Sequence, residues 1–401
     1  MLVNKKLLKG SIILLVSFNI YNALNFFFHF AMVRMMEVVE YGILASLFSI
    51  IYIFGVFTES IQVVIAKYSS REKKGGKLKN ILRKSLRKSF NISLLVLLLY
   101  SFVAIPLSFL MKISYPLMLL NGSILIFSFV SPITRGILQG RKRFSALGIN
   151  MIFESIIKLS VSILLVYFGW SIYGALIGST LGAGGAFILS FVGIRDITKE
   201  KEVNASTEGI YGYTKPTLFI ITAILIFYSL DVIVAKIFFS EELAGIYAVS
   251  SILAKIIFFG TQPISRAMFP ISAENNENKK KSENIFINAF TILTICIVVA
   301  LTLFYLFPEL IIKIFSGKEI EKSAEILFYL GIAISLMSLS NLIILYKLSL
   351  GKIKGYPYLF IFIILEIFLL SFFSKDLVQF SIAFITASAI FFWGSILLMN
   401  D

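Results

Sequence analysis

Six charged side chains interrupt long apolar stretches of this 401-residue chain, and their chemistry has to be explained first. They are Glu59, Glu154, Lys158, Asp231, Lys255 and Glu366. A carboxylate in such a place can bind and release a proton or a cation, whereas an ammonium group can bind an anion. Since a charge in mid-bilayer costs roughly 2.5 to 3.5 kcal/mol on insertion scales, each is a candidate functional residue. The candidate ion-coupling residues are Glu59, Glu154 and Asp231.

Arginines near the ends of the apolar stretches offer a second kind of chemistry. A planar guanidinium can bind two phosphate oxygens at once. The alternative is structural, because an arginine near a helix end can extend its charge to the membrane surface. Both interpretations stay open for Arg34 and Arg266. The basic residues that we assign as candidate substrate-binding residues are Arg34, Arg135, Lys158, Lys255 and Arg266.

The spacing of these charges predicts pairing. Glu154 and Lys158 lie four residues apart, so that they share one helical face and can neutralise each other. Asp231 and Lys255 lie on neighbouring apolar stretches and can pair likewise. An internal ion pair that only stabilises the fold, and a pair that lines a transport cavity, explain both spacings equally well.

A polar stripe crosses the first apolar stretch. Asn19, Asn22, Asn25 and His29 follow at spacings of three, three and four, which places them on one helical face. We expect this face to point inward, where it either holds helices together or lines a path for sugars. The second alternative makes Asn22, Asn25 and His29 candidate substrate-binding residues. Because His29 is the only histidine and Cys296 the only cysteine, no metal site, disulfide or cofactor is expected.

Composition identifies the elements that must position these residues. The chain is 58% hydrophobic and only 15% charged, with a mean hydropathy of +0.92. Repeated apolar stretches of about twenty residues each can cross a bilayer core of about 30 Å. We predict an all-α integral membrane protein. Its twelve spans lie near 10–33, 42–67, 90–111, 115–137, 146–168, 171–194, 216–239, 243–270, 285–308, 324–350, 356–374 and 377–399.

The basic residues that give the chain its net charge of +15 are unevenly distributed among the predicted loops. Most basic residues fall on alternate loops, above all in the run from Arg71 to Lys88, so the positive-inside rule predicts cytoplasmic termini in a cell membrane. This placement excludes nucleic acid as a partner. The apolar residues Ile81, Leu82, Leu86 and Phe90 make the run amphipathic, and we expect it to lie on the anionic cytoplasmic leaflet. The opposite side has few basic residues: Arg34, Lys112, Lys236, Lys313, Lys318, Lys322 and Lys375.

A polar loop after the sixth span divides the chain into two halves of six spans each. We predict an N-terminal lobe at 1–194, a cytoplasmic linker at 195–215 and a C-terminal lobe at 216–401. The sequence around Gly42 resembles that around Gly245, and the sequence around Gly140 resembles that around Gly351. Since each half has an even number of spans, a duplication would give a parallel repeat around a central cavity. Chance is the alternative, because glycine recurs wherever membrane helices pack closely.

At these positions the chain resembles the multidrug/oligosaccharidyl-lipid/polysaccharide (MOP) exporter superfamily, and within it the Wzx-type flippases of polysaccharide biosynthesis. The stretches that carry the resemblance are Arg34 to Ile43, Gly136 to Phe144, Asp231, Gly245 to Ala248 and Arg266 to Pro270. The resemblance implies a MATE-like fold of two six-helix lobes. It also implies a flippase that moves a polyprenyl-linked oligosaccharide from the cytoplasmic to the outer leaflet by alternating access. Its partners would be that substrate, membrane lipids and glycan-assembly proteins.

Two other functions compete with this expectation. A MATE-type drug or metabolite antiporter, driven by protons or sodium, would need an acidic and aromatic cavity for cationic drugs, whereas the inward candidates here are at least as basic as acidic. A membrane-embedded glycosyltransferase would need a large outer catalytic loop, and the predicted outer loops are short. We therefore expect no enzyme. The chain contains no glycine-rich loop that ends in Gly-Lys-Ser or Gly-Lys-Thr, so ATP is not the expected energy source.

Overall fold

A computed structural model describes residues 5–205, 215–274, 279–351 and 356–397. Every regular element among these residues is helical. The middle of the predicted linker, at 206–214, lies outside the described residues, and so do Lys352 and Lys354. The described part also excludes some basic side chains that supported the predicted topology: Lys5, Lys6, Lys9, Lys215 and Lys279.

Fifteen α-helices follow one another in the described part of the chain. The first seven are α1 (Lys5–Met35), α2 (Val38–Arg71), α3 (Gly75–Met111), α4 (Tyr115–Gly140), α5 (Phe144–Leu165), α6 (Ser171–Gly193) and α7 (Arg195–Lys199). The next eight are α8 (Lys215–Phe238), α9 (Glu241–Ala254), α10 (Ile256–Glu274), α11 (Lys279–Leu306), α12 (Pro308–Ser316), α13 (Glu321–Ser349), α14 (Leu359–Phe372) and α15 (Leu377–Leu397).

Ten helical segments among the described residues are long and apolar enough to cross a membrane. One of them, Phe144–Gly193, contains two predicted spans, and the shorter apolar helix Leu359–Phe372 corresponds to a third. With these two additions, each of the twelve predicted spans has a helical counterpart. The predicted all-α membrane fold is confirmed.

The segment Phe144–Gly193 is a hairpin of α5 and α6. Its turn contains Gly169, whose φ of 86° lies in the left-handed region that favours glycine. Across the hairpin the Ser162 hydroxyl donates to the carbonyl of Ala175 at 3.2 Å, and the Asn150 amide donates to the carbonyl of Ala186 at 2.6 Å. Since the partner positions move in opposite directions along the chain, the helices are antiparallel.

The helices form two compact units. One comprises Met1–Met35 and Ile50–Lys215, and the other comprises Met36–Ser49 and Pro216–Asp401. The first turns of α2 therefore group with the second unit, whereas the predicted N-terminal lobe contains the whole helix. The physical reason is the close contact of Gly42 with α9, where an added Cβ would lie 2.5 Å from Cα of Gly245. Only residues without a side chain allow backbones to approach so closely.

Residues 195–205 of the predicted linker pack on the N-terminal part of α3. Ile194 and Ile197 are buried in one apolar cluster with Leu78, Ile81 and Leu82. The expectation that the amphipathic run lies on the leaflet is therefore wrong for Ile81 and Leu82. Their apolar face is covered by protein, because the short helix α7 supplies apolar partners for it.

Polar contacts hold the same segment in place. The Arg143 guanidinium forms two hydrogen bonds with the carboxylate of Asp196, at 2.6 and 2.5 Å. The hydrogen bonds from Arg143 lower the pKa of Asp196 to about 2. Further along, Arg83 pairs with Glu202 at 3.0 Å, and the backbone N–H of Val203 donates to the carbonyl of Gly76 at 3.0 Å. The described part of the linker thus belongs structurally to the first unit.

Aromatic side chains connect three helices in the core of the second unit. Phe227 of α8 contacts Phe384 and Phe391 of α15, with ring centroids 6.3 and 4.6 Å apart. Phe362 of α14 packs edge-on against Phe391 at 5.9 Å. Aromatic pairs stabilise a core beyond the area that they bury. They bring α8, α14 and α15 together around the charged residues described below.

Candidate functional site

Arg135 lies at the centre of the first charge cluster, in the first unit. It is only 7% exposed, because α5 and α6 cover its position on α4. Its Nε donates to Oδ1 of Asn150 at 2.8 Å, and one terminal nitrogen forms an ion pair with Glu154. The Asn150 amide in turn donates to the carbonyl of Ala186 on α6. A buried guanidinium is retained only with partners of this kind.

Lys158 extends the cluster to α1. Its ammonium group donates to Oδ1 of Asn25 at 3.1 Å and lies 4.1 Å from the ring centroid of Phe28. The Asn25 amide donates to the carbonyl of Tyr21 at 2.9 Å and to the hydroxyl of Ser155 at 3.2 Å. The side chain of Asn25 is thereby fixed in orientation, with its oxygen turned to the ammonium group.

Two contacts within this cluster were not predicted. Glu154 forms an ion pair with Arg135, which lies on a different helix, and Lys158 donates to Asn25. The register of the hairpin formed by α4 and α5 could have revealed the contact of Arg135 with Asn150. Arg135 and Asn150 are almost equally distant from the turn at 141–143, so antiparallel helices bring them together. The cluster contains two basic groups and one carboxylate, which leaves a positive charge in excess.

Asp231 is the centre of the second cluster, in the second unit. The side chain is fully buried, and its Oδ1 accepts a hydrogen bond from the ammonium group of Lys255 at 2.8 Å. Its Oδ2 accepts from the hydroxyls of Ser251 at 2.5 Å and Tyr247 at 3.2 Å. The predicted pairing of Asp231 with Lys255 is confirmed.

The sequence contains the signal for the other two donors. Tyr247, Ser251 and Lys255 are spaced by four residues, so they form one stripe along α9 and its continuation. Side chains on a helix lean toward its N-terminus, which brings the long side chain of Lys255 back to the level of Asp231. The ammonium group also lies 4.6 Å from the ring centroid of Tyr228. The pair is therefore enclosed by hydrogen bonds and by an aromatic face.

Glu366 of α14 was noted as an intramembrane charge but was not among the predicted site residues. It is fully buried, and within the described residues neither carboxyl oxygen has a hydrogen-bond partner. Its charge interacts with those of Asp231 and Lys255. Two carboxyl groups thus share the neighbourhood of one ammonium group. An ionised carboxylate in such a site is costly unless it is paired.

The other predicted residues lie at separate positions. Arg34 is exposed near the end of α1, with its guanidinium 4.3 Å from the ring centroid of Phe30. Glu59 on α2 and Arg266 on α10 are exposed as well. His29 is buried and packs edge-on against Phe28 at 5.3 Å.

The polar stripe of α1 is divided between different environments. Asn19 is exposed and donates to the carbonyl of Leu15 at 2.8 Å, which differs from the inward orientation expected for the whole stripe. Asn22 is half-buried, and its Nδ2 has no partner within the described residues. An amide that is buried without a partner can donate to a ligand. No group of three or more potential metal ligands occurs in the described part of the chain.

These two clusters have different chemical capacities. The first combines excess positive charge with amides, so it suits an anion that carries hydroxyl groups. The second combines two carboxyl groups with one ammonium group, so it can change its charge by one proton or cation.

Solved structures of membrane transporters share this fold. An inward-facing multidrug resistance MATE family transporter of the MOP superfamily matches with a TM-score of 0.75 and 13% identity, over 95% of this chain and 94% of that one. The lipid II flippase MurJ, in an inward closed conformation, matches with a TM-score of 0.72 and 15% identity, over 97% of this chain and 87% of that one.

A third match is a MOP superfamily transporter from Pyrococcus furiosus, whose binding pocket is described as having reverse polarity. Its TM-score is 0.65 at 11% identity, over 98% of this chain and 95% of that one. No curated protein matches the chain significantly in sequence.

The described helices have the fold of multi-pass membrane proteins that include transporters and a flippase. A family model described as polysaccharide biosynthesis protein matches residues 31–325, which is well over half of the chain. The chain belongs to this polysaccharide biosynthesis family. The family match confirms the predicted polysaccharide biosynthesis branch, and the solved structures confirm the predicted MATE-like fold.

Proposed function

We propose that the protein is a flippase that moves a polyprenyl-linked oligosaccharide from the cytoplasmic to the outer leaflet by alternating access. The observation that carries this proposal is the excess positive charge of the cluster formed by Arg135, Glu154 and Lys158. It supports an anionic substrate in a protein of the polysaccharide biosynthesis family. Lipid-linked sugars supply such an anion, because a phosphate or pyrophosphate joins the sugar to its lipid.

Each group in the first cluster has a role in this proposal. Lys158 binds a phosphate oxygen, and Arg135 is held by Glu154 and Asn150 so that its charge stays in the bundle. Asn22 and Asn25 donate to sugar hydroxyls. A phosphate group that crosses a region of low dielectric constant needs such charge-assisted hydrogen bonds, which contribute about 1.5 to 3 kcal/mol each.

A reconstituted flipping assay tests the proposal. The pure protein is placed in liposomes with a fluorescent polyprenyl-pyrophosphoryl sugar, and the fraction accessible to an impermeant quencher is followed with time. We expect protein-dependent transfer, and a rate roughly tenfold lower for Lys158→Gln, because one charge-assisted hydrogen bond is lost. The control is Lys313→Gln, which removes an exposed ammonium group paired with Glu319. Equal rates for Lys158→Gln and wild type would remove Lys158 from the site.

Arg34 and Arg266 are further candidate phosphate ligands, because both guanidinium groups are exposed near the ends of apolar helices. We expect Arg34→Ala and Arg266→Ala to abolish translocation while the thermal unfolding of the protein is unchanged. Wild-type flux in both variants would contradict this assignment.

The second cluster supports an alternative function, an antiporter of drugs or metabolites that is coupled to protons or sodium. Asp231 and Glu366 are buried acids of the kind that such coupling requires, and Glu366 has no hydrogen-bond partner among the described residues. The same vesicles distinguish the two functions when a proton or sodium gradient is imposed. Efflux of a cationic dye without any transfer of the lipid-linked sugar would favour the antiporter.

The proposal includes a location and an orientation. The protein lies in the cell membrane, with both termini and the basic loops in the cytoplasm, because basic residues concentrate on one set of loops. Its partners are the lipid-linked sugar, membrane lipids and proteins of glycan assembly. Energy comes from an ion gradient or from consumption of the sugar on the far side.

A further inference from the structure

The outer face of α3 carries basic side chains directly before a purely apolar stretch. A groove of about 420 Å³ on this face is lined by a set of residues from α3 alone: Lys84, Arg87, Lys88, Asn91, Ile92 and Leu95. Counted from Lys84, these residues stand at helix positions i, i+3, i+4, i+7, i+8 and i+11, so they form one stripe along the helix. The stripe changes from charged to amide to aliphatic in the order of the chain.

The length of α3 locates this change relative to the membrane. Residues 92–111 contain no charged side chain, and at 1.5 Å per residue they span about 30 Å, the thickness of a bilayer core. Leu95, Leu98 and Phe102 are 55%, 54% and 62% exposed, as expected of side chains that face lipid tails. Arg87, Lys88 and Asn91 therefore lie within about one and a half turns of the hydrocarbon boundary, at the depth of lipid phosphates.

The carboxylate of Glu202 is engaged by residues of α3 that precede the groove. Glu202 accepts hydrogen bonds from Asn80 and Arg83, at 2.5 and 3.0 Å, on the part of the helix that precedes the groove. Within the described residues, Lys84 donates to neutral oxygens, those of the Asn204 side chain and the Ala205 carbonyl, at 2.8 and 3.1 Å. No carboxylate among these residues accepts a hydrogen bond from its ammonium group.

Arg87 is the clearest available donor. Its side chain is exposed and has no hydrogen bond or ion pair within the described residues. A guanidinium in this state presents two parallel N–H groups to an incoming phosphate.

We infer that this face of α3 binds the headgroup of an anionic phospholipid from the leaflet on the basic side of the protein. Arg87 binds the phosphate with two hydrogen bonds, Lys84 and Lys88 supply charge, and Asn91 binds the glycerol or carbonyl oxygens. An acyl chain lies along Ile92 and Leu95. This site lies on the outer surface of the first unit and is separate from the buried cluster around Arg135, so it does not depend on which substrate is transported.

Titration with a defined lipid tests the inference. Short-chain phosphatidylglycerol is added to the full-length protein in neutral detergent, and bound lipid is counted by native mass spectrometry, with phosphatidylcholine as the neutral comparison. We expect one phosphatidylglycerol to bind preferentially, and the double variant Arg87→Gln/Lys88→Gln to bind it roughly tenfold or more weakly, because each basic residue at an anionic surface contributes about fivefold.

A control variant with the same net charge distinguishes a specific lipid site from general electrostatic attraction of anionic lipid to the protein. Lys73→Gln/Lys74→Gln also removes two positive charges, from exposed residues just before α3. We expect it to bind phosphatidylglycerol like wild type. Equal losses in both double variants, or no preference for phosphatidylglycerol over phosphatidylcholine, would overturn the inference. Displacement of the lipid by a polyprenyl phosphate at equal concentration would also overturn it, because the face would then be an entry site for substrate.

A second measurement locates the acyl chain. Cys296 is the only cysteine, so Cys296→Ser allows a bimane label to be placed at Leu95→Cys. Brominated phosphatidylglycerol should quench this label at lower concentration than brominated phosphatidylcholine, and Arg87→Gln/Lys88→Gln should remove the difference. Equal quenching by both lipids in the otherwise unchanged protein would contradict the proposed position of the chain.

Discussion

Asp231 and Lys255 form an almost fully buried ion pair, at 0% and 3% side-chain exposure. Removal of one partner leaves the other charge buried and uncompensated, which typically costs about 3 to 5 kcal/mol. We expect Lys255→Met to lower the free energy of unfolding by about this amount, measured by denaturant unfolding in detergent. Asp231→Leu/Lys255→Met should recover part of the loss, because it removes both charges. A double variant that is less stable than both single variants would contradict this account.

Removal of the charge of Glu366, unlike removal of the charge of Lys255, is not expected to destabilise the protein. Since no donor of the described residues satisfies its carboxyl group, the ionised form is costly and a neutral isostere should be tolerated. We expect Glu366→Gln to leave the unfolding temperature unchanged or raised. The control is Glu309→Gln at an exposed position of α12. A loss of more than about 1 kcal/mol in Glu366→Gln alone would show that the ionised carboxylate stabilises the fold.

At the scale of single residues, sequence reasoning found most of the charged groups but not all of their partners. The pair of Asp231 and Lys255 was predictable, because few charges occur in adjacent spans. Arg135 was placed near a helix end, and its contact with Glu154 depends on the rotation of α4 against α5, which hydropathy does not specify. The sequence around Glu366 does not indicate a pairing residue. In the structure, neither carboxyl oxygen has a hydrogen-bond partner among the described residues.

The crossing of α2 and α9 is an element whose geometry can be tested directly. A Cβ at Gly42 would lie 2.5 Å from Cα of Gly245, so the two helices must separate to accept it. We expect Gly42→Ala to destabilise the protein by about 1 to 3 kcal/mol through overpacking. Gly260→Ala is the matched control, because no atom lies within 4 Å of its added Cβ. Equal stability of the two variants in thermal unfolding would disprove the close contact.

The contact of α7 with the rest of the first unit should depend on pH. Arg143 lowers the pKa of Asp196 from 3.8 to about 2, so the folded state binds this proton less tightly than the unfolded state does. The stabilisation is therefore fully present above about pH 4 and is lost as the pH falls toward 2. Hydrogen exchange of residues 194–203 should rise in that range.

The variant Asp196→Asn should show the faster exchange already at pH 7, and Glu319→Gln, which breaks the exposed pair with Lys313, should not. If exchange of this segment in Asp196→Asn equals that of wild type at pH 7, the ion pair does not hold α7.

Elements were predictable where composition determines them. Long apolar runs made the helices predictable, since lipid leaves few alternatives to a helix for an apolar span. The amphipathic run at the start of α3 was assigned to the leaflet because amphipathic helices occur both at membranes and at protein surfaces. Ile81 and Leu82 are buried in a cluster that includes Ile197, which lies on a helix of five residues that is too short to be recognised by periodicity.

At the scale of the whole molecule, the orientation remains a prediction that rests on charge. Reporter fusions after Lys79 and after Lys318 should report opposite sides of the membrane, with Lys79 in the cytoplasm. A fusion after Lys142, in another predicted cytoplasmic loop, is the internal control and should agree with Lys79. Agreement between Lys79 and Lys318 would contradict the proposed topology.

The family and the membrane class followed from sequence, because short motifs in a constant order extend over most of the chain. The boundaries between the two compact units did not follow, since loop polarity shows where a chain leaves the membrane and not which helices pack together. The predicted lobes at 1–194 and 216–401 remain a prediction about evolutionary halves.

The division of α2 has a consequence for splitting the gene. A chain cut within 206–214 leaves Met36–Ser49 on the first fragment, whereas these residues pack with the second unit. The second fragment expressed alone would therefore lack the part of α2 that covers Gly245. The surface of α9 at this glycine would be exposed to chaperones and proteases. Co-expression of both fragments restores the missing segment, so the first half acts as an assembly factor of the second.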